Sequence, residues 1–345
     1  MKTALVLAGG GSRGAYEMGV WQAVTELGIK IDIVTGTSIG SMNAALIAAG
    51  AFKAAQKLWL TLETAEVFDY KHAIENKGVK FTSVKDIMAD CISEDIVRES
   101  PIDLGIVTVE FPSMKAHHLW KEDIPKGQLL DFVFASCSCF PVVMPYEIGG
   151  KNYIDGGYDD TMPIGMALEK NADRIIAVDL EGHGKYNKAD QKAAGDKLTI
   201  IRSNWDLGNF AVFDPAHSED IMRLGYLDTM KAFGIFTGKK YTFVRGQIPA
   251  KEIKKAEAIA EILGLDHKVI YSKEIFEENI IRKVQETKRK INKKGALDTL
   301  GKLDDKIADG LQKIGINFPD DVSDFVINKL NLDDETKTLL KKIFD

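Results

Sequence analysis

The opening of the chain alternates strand-like and helical segments that are joined by glycine-rich turns. The apolar runs Thr3–Leu7 and 31–35 have the length and β-branched content of buried strands. A helical segment follows the first run at 15–27, and the segment 36–49 is predicted to be a turn followed by a helix over 42–49. Strands that alternate with helices form a mainly parallel sheet with helices on both faces. The sequence therefore predicts an α/β fold, a three-layer α/β/α sandwich around a mainly parallel sheet.

Further strand-like runs continue this pattern to residue 244. They lie at 104–109, 116–120, 151–154, 174–179, 198–201 and 241–244. Charged segments with helical spacing then replace them, at 251–263, 273–293, 297–314 and 319–344. We therefore predict a main domain over residues 1–250 and a helical C-terminal extension over residues 251–345.

Composition excludes several classes of protein. The net charge of -6 gives no basic field for nucleic acid, and three cysteines are too few for a disulfide framework. No stretch approaches the roughly 20 apolar residues that span a bilayer. The short apolar start runs straight into a glycine loop, which is unlike a signal peptide. We expect a cytoplasmic protein.

The segment Gly36-Thr37-Ser38-Ile39-Gly40 places a serine between a β-branched strand and a helix rich in small residues. A nucleophile elbow needs small residues two positions before and after the serine, because the strand and the helix approach closely there. The helix N-terminus favours the negative charge that develops in acyl transfer. Without its flanking strand and helix the pattern would indicate only a loop. In this context, it predicts that Ser38 is a nucleophile.

A glycine-rich loop follows the first strand and has two functional interpretations. Its residues are Gly9, Gly10, Gly11, Ser12, Arg13 and Gly14. Backbone N–H groups of such a loop can form an oxyanion hole. The loop also fits a dinucleotide fingerprint in which Asp32 would hold a ribose, although Asp32 lies near the start of the second strand and not at its tip. A plain turn is less expected, since ordering three consecutive glycines is costly in entropy.

The third motif, Asp155-Gly156-Gly157, comes directly after a strand-like run. It places a carboxylate at a strand end, where the active-site groups of parallel sheets collect. Asp-Gly is a common turn pair, so the motif indicates function only in combination with the other two.

Together the three motifs resemble the patatin-like phospholipases, and in particular their bacterial members. The block 135–141 and the segment 214–228 are also similar to elements of that family, and the resemblance covers roughly residues 3–245. It implies a catalytic domain that cleaves fatty-acyl esters of lipids, as a phospholipase A or lysophospholipase does. It also implies a Ser38/Asp155 dyad, with an oxyanion hole formed by the glycine loop and Ile39. Arg13 matches a basic family position, and we favour a structural role for it over contact with a lipid head group.

A Ser-His-Asp triad fits the sequence poorly. Only one predicted strand precedes the strand that leads to Ser38, whereas ordinary α/β-hydrolases place several before that strand. None of the six histidines can be assigned to a loop beside Ser38, and His217 is the least implausible of them. The others are His72, His117, His118, His183 and His267.

Two rival functions remain open at this point. One is a nucleotide-binding oxidoreductase that uses the glycine loop, and the other is a catalytically silent interaction module. The preferred hypothesis implies a lipid or fatty-acyl ester as partner, no metal or organic cofactor and no requirement for calcium. The basic run 282–294 is interpreted as a solvated helix face, with peripheral membrane contact through the C-terminal helices as the alternative.

Overall fold

The computed structural model describes residues 1–67 and 83–294. The chain divides into two compact units, Met1–Ala232 and Phe233–Asp345. The structural division thus lies earlier in the chain than residue 250, and the domain assignment 1–250 and 251–345 stays a prediction. The predicted helical segments 297–314 and 319–344 lie outside the described residues.

The first unit contains an eight-stranded mixed sheet. Its strands are β1 (Thr3–Leu7), β2 (Ile33–Thr37), β3 (Asp103–Phe111), β4 (Lys115–Trp120), β5 (Tyr146–Ile148), β6 (Lys151–Asp155), β7 (Arg174–Asp179) and β8 (Leu198–Arg202). Five of them, in the order β3-β2-β1-β7-β8, are parallel. Every residue of β1 and β2 is buried, as expected of central strands that are covered on both faces. The predicted α/β sandwich with a mainly parallel sheet is confirmed.

Ten α-helices accompany this sheet in the described part of the first unit. They are α1 (Ala15–Glu26), α2 (Ile39–Ala48), α3 (Phe52–Trp59), α4 (Thr64–Val67), α5 (Ser83–Cys91), α6 (Glu94–Glu99), α7 (Leu129–Ser136), α8 (Ile164–Glu169), α9 (Lys188–Ala194) and α10 (Pro215–Ala232). Helices α1 and α10 cross closely because each offers a glycine. A Cβ on Gly225 would lie 2.0 Å from the carbonyl oxygen of Tyr16, and one on Gly19 would lie 1.8 Å from that of Met222.

The second strand begins two residues later than predicted. Asp32 precedes β2, and its carboxylate accepts hydrogen bonds from the backbone N–H of Thr3 and the ammonium of Lys30. The strand continues to Thr37, which pairs with Val107 of β3. Helix α2 starts at Ile39, three residues before the predicted helical segment 42–49, and the predicted turn is at Ser38.

Strand β3 is longer than its neighbour β2, and this difference positions β6. Residues Asp103 to Val107 pair with β2, whereas Thr108 to Phe111 pair with β6. Strand β4 pairs with β3 across both stretches, so β2 and β6 share the opposite edge of β3. Strand β6 runs antiparallel to β3, so Asp155 does not end a parallel strand as expected. The carboxyl ends of β2 and β6 instead point toward each other along this edge.

The second unit contains a small three-stranded sheet and two helices within its described residues. These elements are β9 (Phe236–Thr237), β10 (Thr242–Val244), β11 (Ile270–Tyr271), α11 (Ile253–Ile262) and α12 (Lys273–Lys294). Rings of Phe243, Tyr271 and Phe276 pack together with centroids 5.3 to 5.9 Å apart. The strand-like run 241–244 thus belongs to this sheet, and β11 contradicts the expectation that strands stop at residue 250. Strands of two or three residues are too short to show an alternating pattern.

Candidate active site

Ser38 occupies a strained turn between β2 and α2. Its φ of 55° and ψ of -130° are rare for a residue with a side chain. The flanking glycines are required by close backbone contacts. A Cβ on Gly36 would lie 2.2 Å from the carbonyl oxygen of Gly40, and one on Gly40 would lie 2.4 Å from that of Leu7. The segment Gly36 to Gly40 therefore has the geometry of a nucleophile elbow.

Two buried serines hold the backbone of this turn. The N–H of Ser38 donates to Oγ of Ser136, the last residue of α7, at 2.8 Å. The hydroxyl of Ser41 donates to the carbonyl oxygen of Ser38 at 2.6 Å. Sequence reasoning assigned no role to either residue, and only the position of Ser136 in the block 135–141 pointed toward the site. Both are positioning residues for Ser38.

Asp155 ends β6 in a buried environment. The side chain is 6% exposed, and one carboxylate oxygen accepts the N–H of Gly157 at 2.8 Å. Burial raises the pKa of Asp155 to about 6, while the hydroxyl of Ser38 and the N–H of Gly157 act in the opposite direction. A carboxylate with this pKa is ionised at neutral pH and still basic enough to accept a proton.

The residue after Asp155 must be small. A Cβ on Gly156 would lie 2.2 Å from the carbonyl oxygen of Val107 in β3, so the chain can turn away from the sheet only if this residue is glycine. The backbone N–H of Asp155 donates to the carbonyl oxygen of Ser138 at 2.9 Å. The Asp155-Gly156-Gly157 turn is thereby held against β3.

Three N–H groups of the glycine loop donate to backbone carbonyl groups of the protein. That of Gly9 donates to Thr161 at 3.0 Å, that of Ser12 to Phe210 at 2.8 Å, and that of Arg13 to Gly10 within the loop at 3.3 Å. These bonds fix the loop and engage the N–H groups of three residues that were predicted for the oxyanion hole.

The glycines of this loop are packed against neighbouring segments. Gly11 has a φ of 59°, and a Cβ there would lie 2.1 Å from the carbonyl oxygen of Phe210. A Cβ on Gly10 would lie 2.7 Å from the Cβ of Leu180, and one on Gly14 would lie 2.6 Å from the side chain of Ile39. The loop therefore lies close to α2 and to the segment that follows β7.

The side chain of Arg13 supports the loop from one side. Its guanidinium donates to the carbonyl oxygens of Gly208 at 2.9 Å, Leu180 at 3.2 Å and Glu181 at 3.1 Å. These contacts agree with the structural role favoured for Arg13.

A buried polar network lies at the start of α1. The amide nitrogen of Asn43 donates to the carbonyl oxygen of Gly14 at 2.9 Å and to the carboxyl group of Glu17 at 2.7 Å. The indole nitrogen of Trp59 donates to the amide oxygen of Asn43 at 3.0 Å. Glu17 is fully buried, and burial raises its pKa well above the ordinary value, while the hydrogen bond from Asn43 opposes this. Sequence reasoning missed this network, because nothing local marks Glu17 as buried.

The segment after β7 is wedged between the glycine loop and the Asp155 turn. A Cβ on Gly182 would lie 2.1 Å from the carbonyl oxygen of Gly9. The N–H of Lys185 donates to the carbonyl oxygen of Gly157 at 3.0 Å, and that of Thr161 donates to Lys185 at 2.7 Å. We call residues 181–185 the wedge loop.

A cavity of about 370 Å³ brings the three motifs together. Ser38, Asp155 and Gly157 line it, as do Gly9, Gly10, Gly11, Arg13 and Ile39 of the predicted oxyanion region. Most of the remaining wall is apolar: Met42, Leu62, Val67, Val142, Val143, Phe210, Ala211 and Phe213. Such a cavity suits an acyl chain with its ester at Ser38.

One histidine also lines this cavity. His183, in the wedge loop, contacts the ring of Phe210 edge-on with centroids 5.5 Å apart. The expectation that no histidine lies in a loop beside Ser38 is therefore wrong, because β7 ends next to β1 and carries its loop to the site. His217 does not line the cavity, and its ring nitrogen lies 2.9 Å from the carbonyl oxygen of Leu207. His72 lies outside the described residues.

The position of Asp32 weighs against the dinucleotide alternative. The residue precedes β2 and is bound to Thr3 and Lys30, at the opposite end of the strand from Ser38. A ribose-binding acid belongs at the carboxyl end of that strand. Across residues 1–67 and 83–294, no group of three or more histidine, cysteine, aspartate or glutamate residues could hold a metal ion. None of the described helices is long and apolar enough to cross a membrane.

Comparison with known proteins gives similarity to lipid hydrolases. Lysophospholipase NTE1 of Mycosarcoma maydis is 28% identical over 249 residues, which are 67% of this chain and 12% of that protein. Patatin-like phospholipase domain-containing protein 7 of Rattus norvegicus is 30% identical over 218 residues, 59% of this chain and 15% of that protein. The chain thus spans only a small part of the length of these relatives.

A solved structure and a family model complete the comparison. VipD from Legionella pneumophila aligns with 99% of this chain and 83% of its own, at 16% identity and a TM-score of 0.46. Residues 5–168 match the model described as patatin-like phospholipase, and this range contains the glycine loop, Ser38 and Asp155. Residues 5–168 of this chain therefore form a domain of the patatin-like phospholipase family.

Proposed function

We propose that this protein is a serine acyl hydrolase that cleaves fatty-acyl esters of lipids, with Ser38 as nucleophile and Asp155 as its base. The observation that carries the proposal is the meeting of Ser38, in a strained turn, with a buried carboxylate of raised pKa in one apolar cavity. Relatives named lysophospholipase support a lysophospholipid or phospholipid as substrate.

In the first step the hydroxyl of Ser38 attacks the ester carbonyl and Asp155 accepts its proton. The alcohol part of the lipid leaves, and it takes up that proton from Asp155. The fatty-acyl group remains on Ser38 as an ester. In the second step Asp155 accepts a proton from water, the water oxygen attacks the acyl-serine, and the proton returns to Ser38 as the fatty acid is released.

The oxyanion that forms in each step needs N–H donors close to Ser38. Because the N–H groups of Gly9, Ser12 and Arg13 donate to carbonyl oxygens, we assign this role to the N–H groups of Gly10, Gly11 and Ile39. Ile39 is the first residue of α2, where N–H groups have no partner within the helix. Each such donor contributes about 3 kcal/mol in other enzymes.

Labelling with a fluorophosphonate tests the nucleophile directly. Mass spectrometry of the labelled protein should find the probe on Ser38, and Ser38→Ala should abolish ester hydrolysis while the protein keeps its thermal unfolding transition. Ser113→Ala, in the exposed turn between β3 and β4, is the matched control and should label normally. A probe attached to another serine, or hydrolysis by a folded Ser38→Ala protein at the parent rate, would exclude this assignment.

For the C-terminal extension we propose peripheral contact with an anionic membrane surface, in a protein of the cytoplasm. Helix α12 carries Arg282 and Lys283, within the basic run 282–294. Arg282→Glu/Lys283→Glu should weaken binding to anionic vesicles, and added salt should weaken binding of the parent protein. Glu277→Lys/Glu278→Lys is a control of opposite charge change in the same helix and should not weaken it. Salt-independent binding that the Arg282/Lys283 variant retains would remove this role.

A further inference from the structure

Apolar side chains that are exposed to solvent lie at the mouth of the cavity, together with the exposed lining residues Cys139, His183 and Gly184. Val142, Tyr158 and Phe210 line the cavity and are 56%, 36% and 39% exposed. A residue that both lines a cavity and meets solvent lies where the cavity opens. Val212, 48% exposed, lies in sequence between two further lining residues. We call these four residues the mouth patch.

The mouth patch is built from three separate segments that are fixed by hydrogen bonds. The phenol of Tyr158 donates to the carbonyl oxygen of Phe140, close to Val142 in sequence. The carbonyl oxygen of Phe210 accepts the N–H of Ser12 at 2.8 Å, and the N–H of Val212 donates to Asn209. The exposed apolar side chains are therefore held at the mouth by the same loops that form the site.

The charged side chains of the cavity wall are buried or hydrogen-bonded within the protein. Among the described residues that line the cavity, those with a full charge at neutral pH are Arg13 and Asp155. The guanidinium of Arg13 is bound to carbonyl groups, and Asp155 is 6% exposed. Apart from His183, the described residues at the mouth therefore offer mainly apolar surface, which favours a partner that is itself apolar over a charged macromolecule.

We propose that the mouth patch docks onto the surface of a lipid aggregate, a micelle or a bilayer, with its four side chains inserted among the acyl chains. An acyl chain could then pass from the aggregate into the apolar cavity without crossing water, which avoids the cost of exposing its methylene groups. This inference rests on the proposed function for the identity of the substrate, but docking itself requires no catalysis.

Docking is tested by vesicle binding in the Ser38→Ala background, which leaves the vesicle lipid intact. With vesicles of dioleoyl phosphatidylcholine, Val142→Asp/Val212→Asp should weaken binding about tenfold or more, because two apolar side chains leave the interface. The matched control, Ile96→Asp/Met114→Asp, changes two exposed apolar residues that do not line the cavity and should bind normally. Salt should leave binding to these uncharged vesicles unchanged.

A gain-of-binding variant covers the case in which the aspartates disturb folding. Val212→Trp adds a side chain that prefers the interface and should tighten vesicle binding. Equal loss in the patch and control variants, or tight binding by a folded patch variant, would overturn the proposal. So would binding that disappears with Arg282→Glu/Lys283→Glu alone.

A catalytic comparison separates docking from chemistry. With Ser38 intact, Val212→Asp should lower hydrolysis of micellar lysophosphatidylcholine about tenfold and leave hydrolysis of p-nitrophenyl butyrate, a dissolved ester, within about twofold. Equal loss on both substrates would contradict docking. If the parent protein hydrolyses neither substrate, the proposed function fails, and the vesicle experiment still decides whether the mouth patch docks.

Discussion

Thr37 and Asp155, the last residues of β2 and β6, lie opposite adjacent residues of β3. Thr37 pairs with Val107 and Asp155 pairs with Thr108. Because the two strands approach each other along one edge, the turn that carries Ser38 and the turn that carries the carboxylate begin at the same level of the sheet. The side chains of the candidate dyad are thus brought together by the length of β3, which extends four residues beyond its pairing with β2.

The raised pKa of Asp155 predicts the pH dependence of hydrolysis. A base must be unprotonated to act, so kcat/KM for a dissolved ester should fall as the pH drops through about 6. Above that pH the carboxylate is ionised and kcat/KM should level off. Asp155→Asn should not show this fall at low pH, and its kcat/KM should be lower than that of the parent by about 10²-fold or more. A parent profile that is flat between about pH 5 and pH 7 would exclude Asp155 as the base.

His183 provides a test of the dyad against a serine-histidine pair. If Asp155 is the base, His183→Gln should lower kcat/KM for dissolved esters by less than about tenfold, since a missing base costs about 10²-fold or more. His217→Gln, a histidine outside the cavity wall, serves as the matched control. A folded His183→Gln protein as inactive as Ser38→Ala would make His183 the base instead.

The close contact at Gly40 predicts a large loss of stability on substitution. In Gly40→Ala the new Cβ meets the carbonyl oxygen of Leu7 at 2.4 Å, so strand or helix must move, and the free energy of unfolding should fall by about 3 kcal/mol. Gly28→Ala has a φ of 67° but open space around it, and should cost only about 1 kcal/mol. Urea unfolding of both variants measures this difference, and equal losses would show that the contact at Gly40 is not limiting.

Burial of Glu17 predicts a stability that falls with rising pH. Its pKa is raised in the folded state, so its contribution is complete below the unfolded pKa of about 4.3 and is lost as the pH rises toward the folded value. Glu17→Gln cannot ionise and keeps an acceptor for Asn43. At neutral pH the urea midpoint of this variant should therefore lie above that of the parent. The difference between the two midpoints should disappear near pH 4.5, which is about the pKa of glutamate in the unfolded chain. A difference that is independent of pH would show that Glu17 is not neutral in the folded protein.

Hydrolysis should not depend on calcium. Backbone N–H groups are the proposed stabilisers of the oxyanion, and they need no metal ion. Activity on a dissolved ester should therefore be the same in excess EDTA as in excess calcium. A large loss in EDTA that calcium alone restores would reveal a metal ion in the reaction.

The parts of this site that are local in sequence could be predicted from the sequence. A glycine two residues before and after Ser38, between a strand and a helix, specifies a turn whose geometry depends on its own backbone, and the structure shows that turn. The same holds for the glycine loop after β1. Each motif lies within a short stretch of sequence, although the contacts that require Gly40, Gly10 and Gly11 are made with Leu7, Leu180 and Phe210, which are remote in sequence.

Features that depend on pairing between distant segments could not be predicted. The direction of β6 depends on which part of β3 remains unpaired by β2, and nothing in residues 151–155 records that. The placement of His183 beside the cavity follows from the pairing of β7 with β1, whose paired residues lie 171 positions earlier in the chain. Likewise, the engagement of the N–H groups of Gly9 and Ser12 depends on Thr161 and Phe210, which are remote in sequence.

The wedge loop gives this site a spacer that contains neither of the proposed dyad residues. It contacts Gly9 on one side and Gly157 on the other, so its thickness helps to set the distance between the glycine loop and the Asp155 turn. Gly182 and Gly184 keep it thin, since a Cβ on Gly184 would lie 2.6 Å from the carbonyl oxygen of Gly157. A longer or bulkier wedge loop would increase the distance between the glycine loop and the Asp155 turn. Natural or engineered variation in this loop would thereby alter the rate of the proposed reaction while both proposed dyad residues are retained.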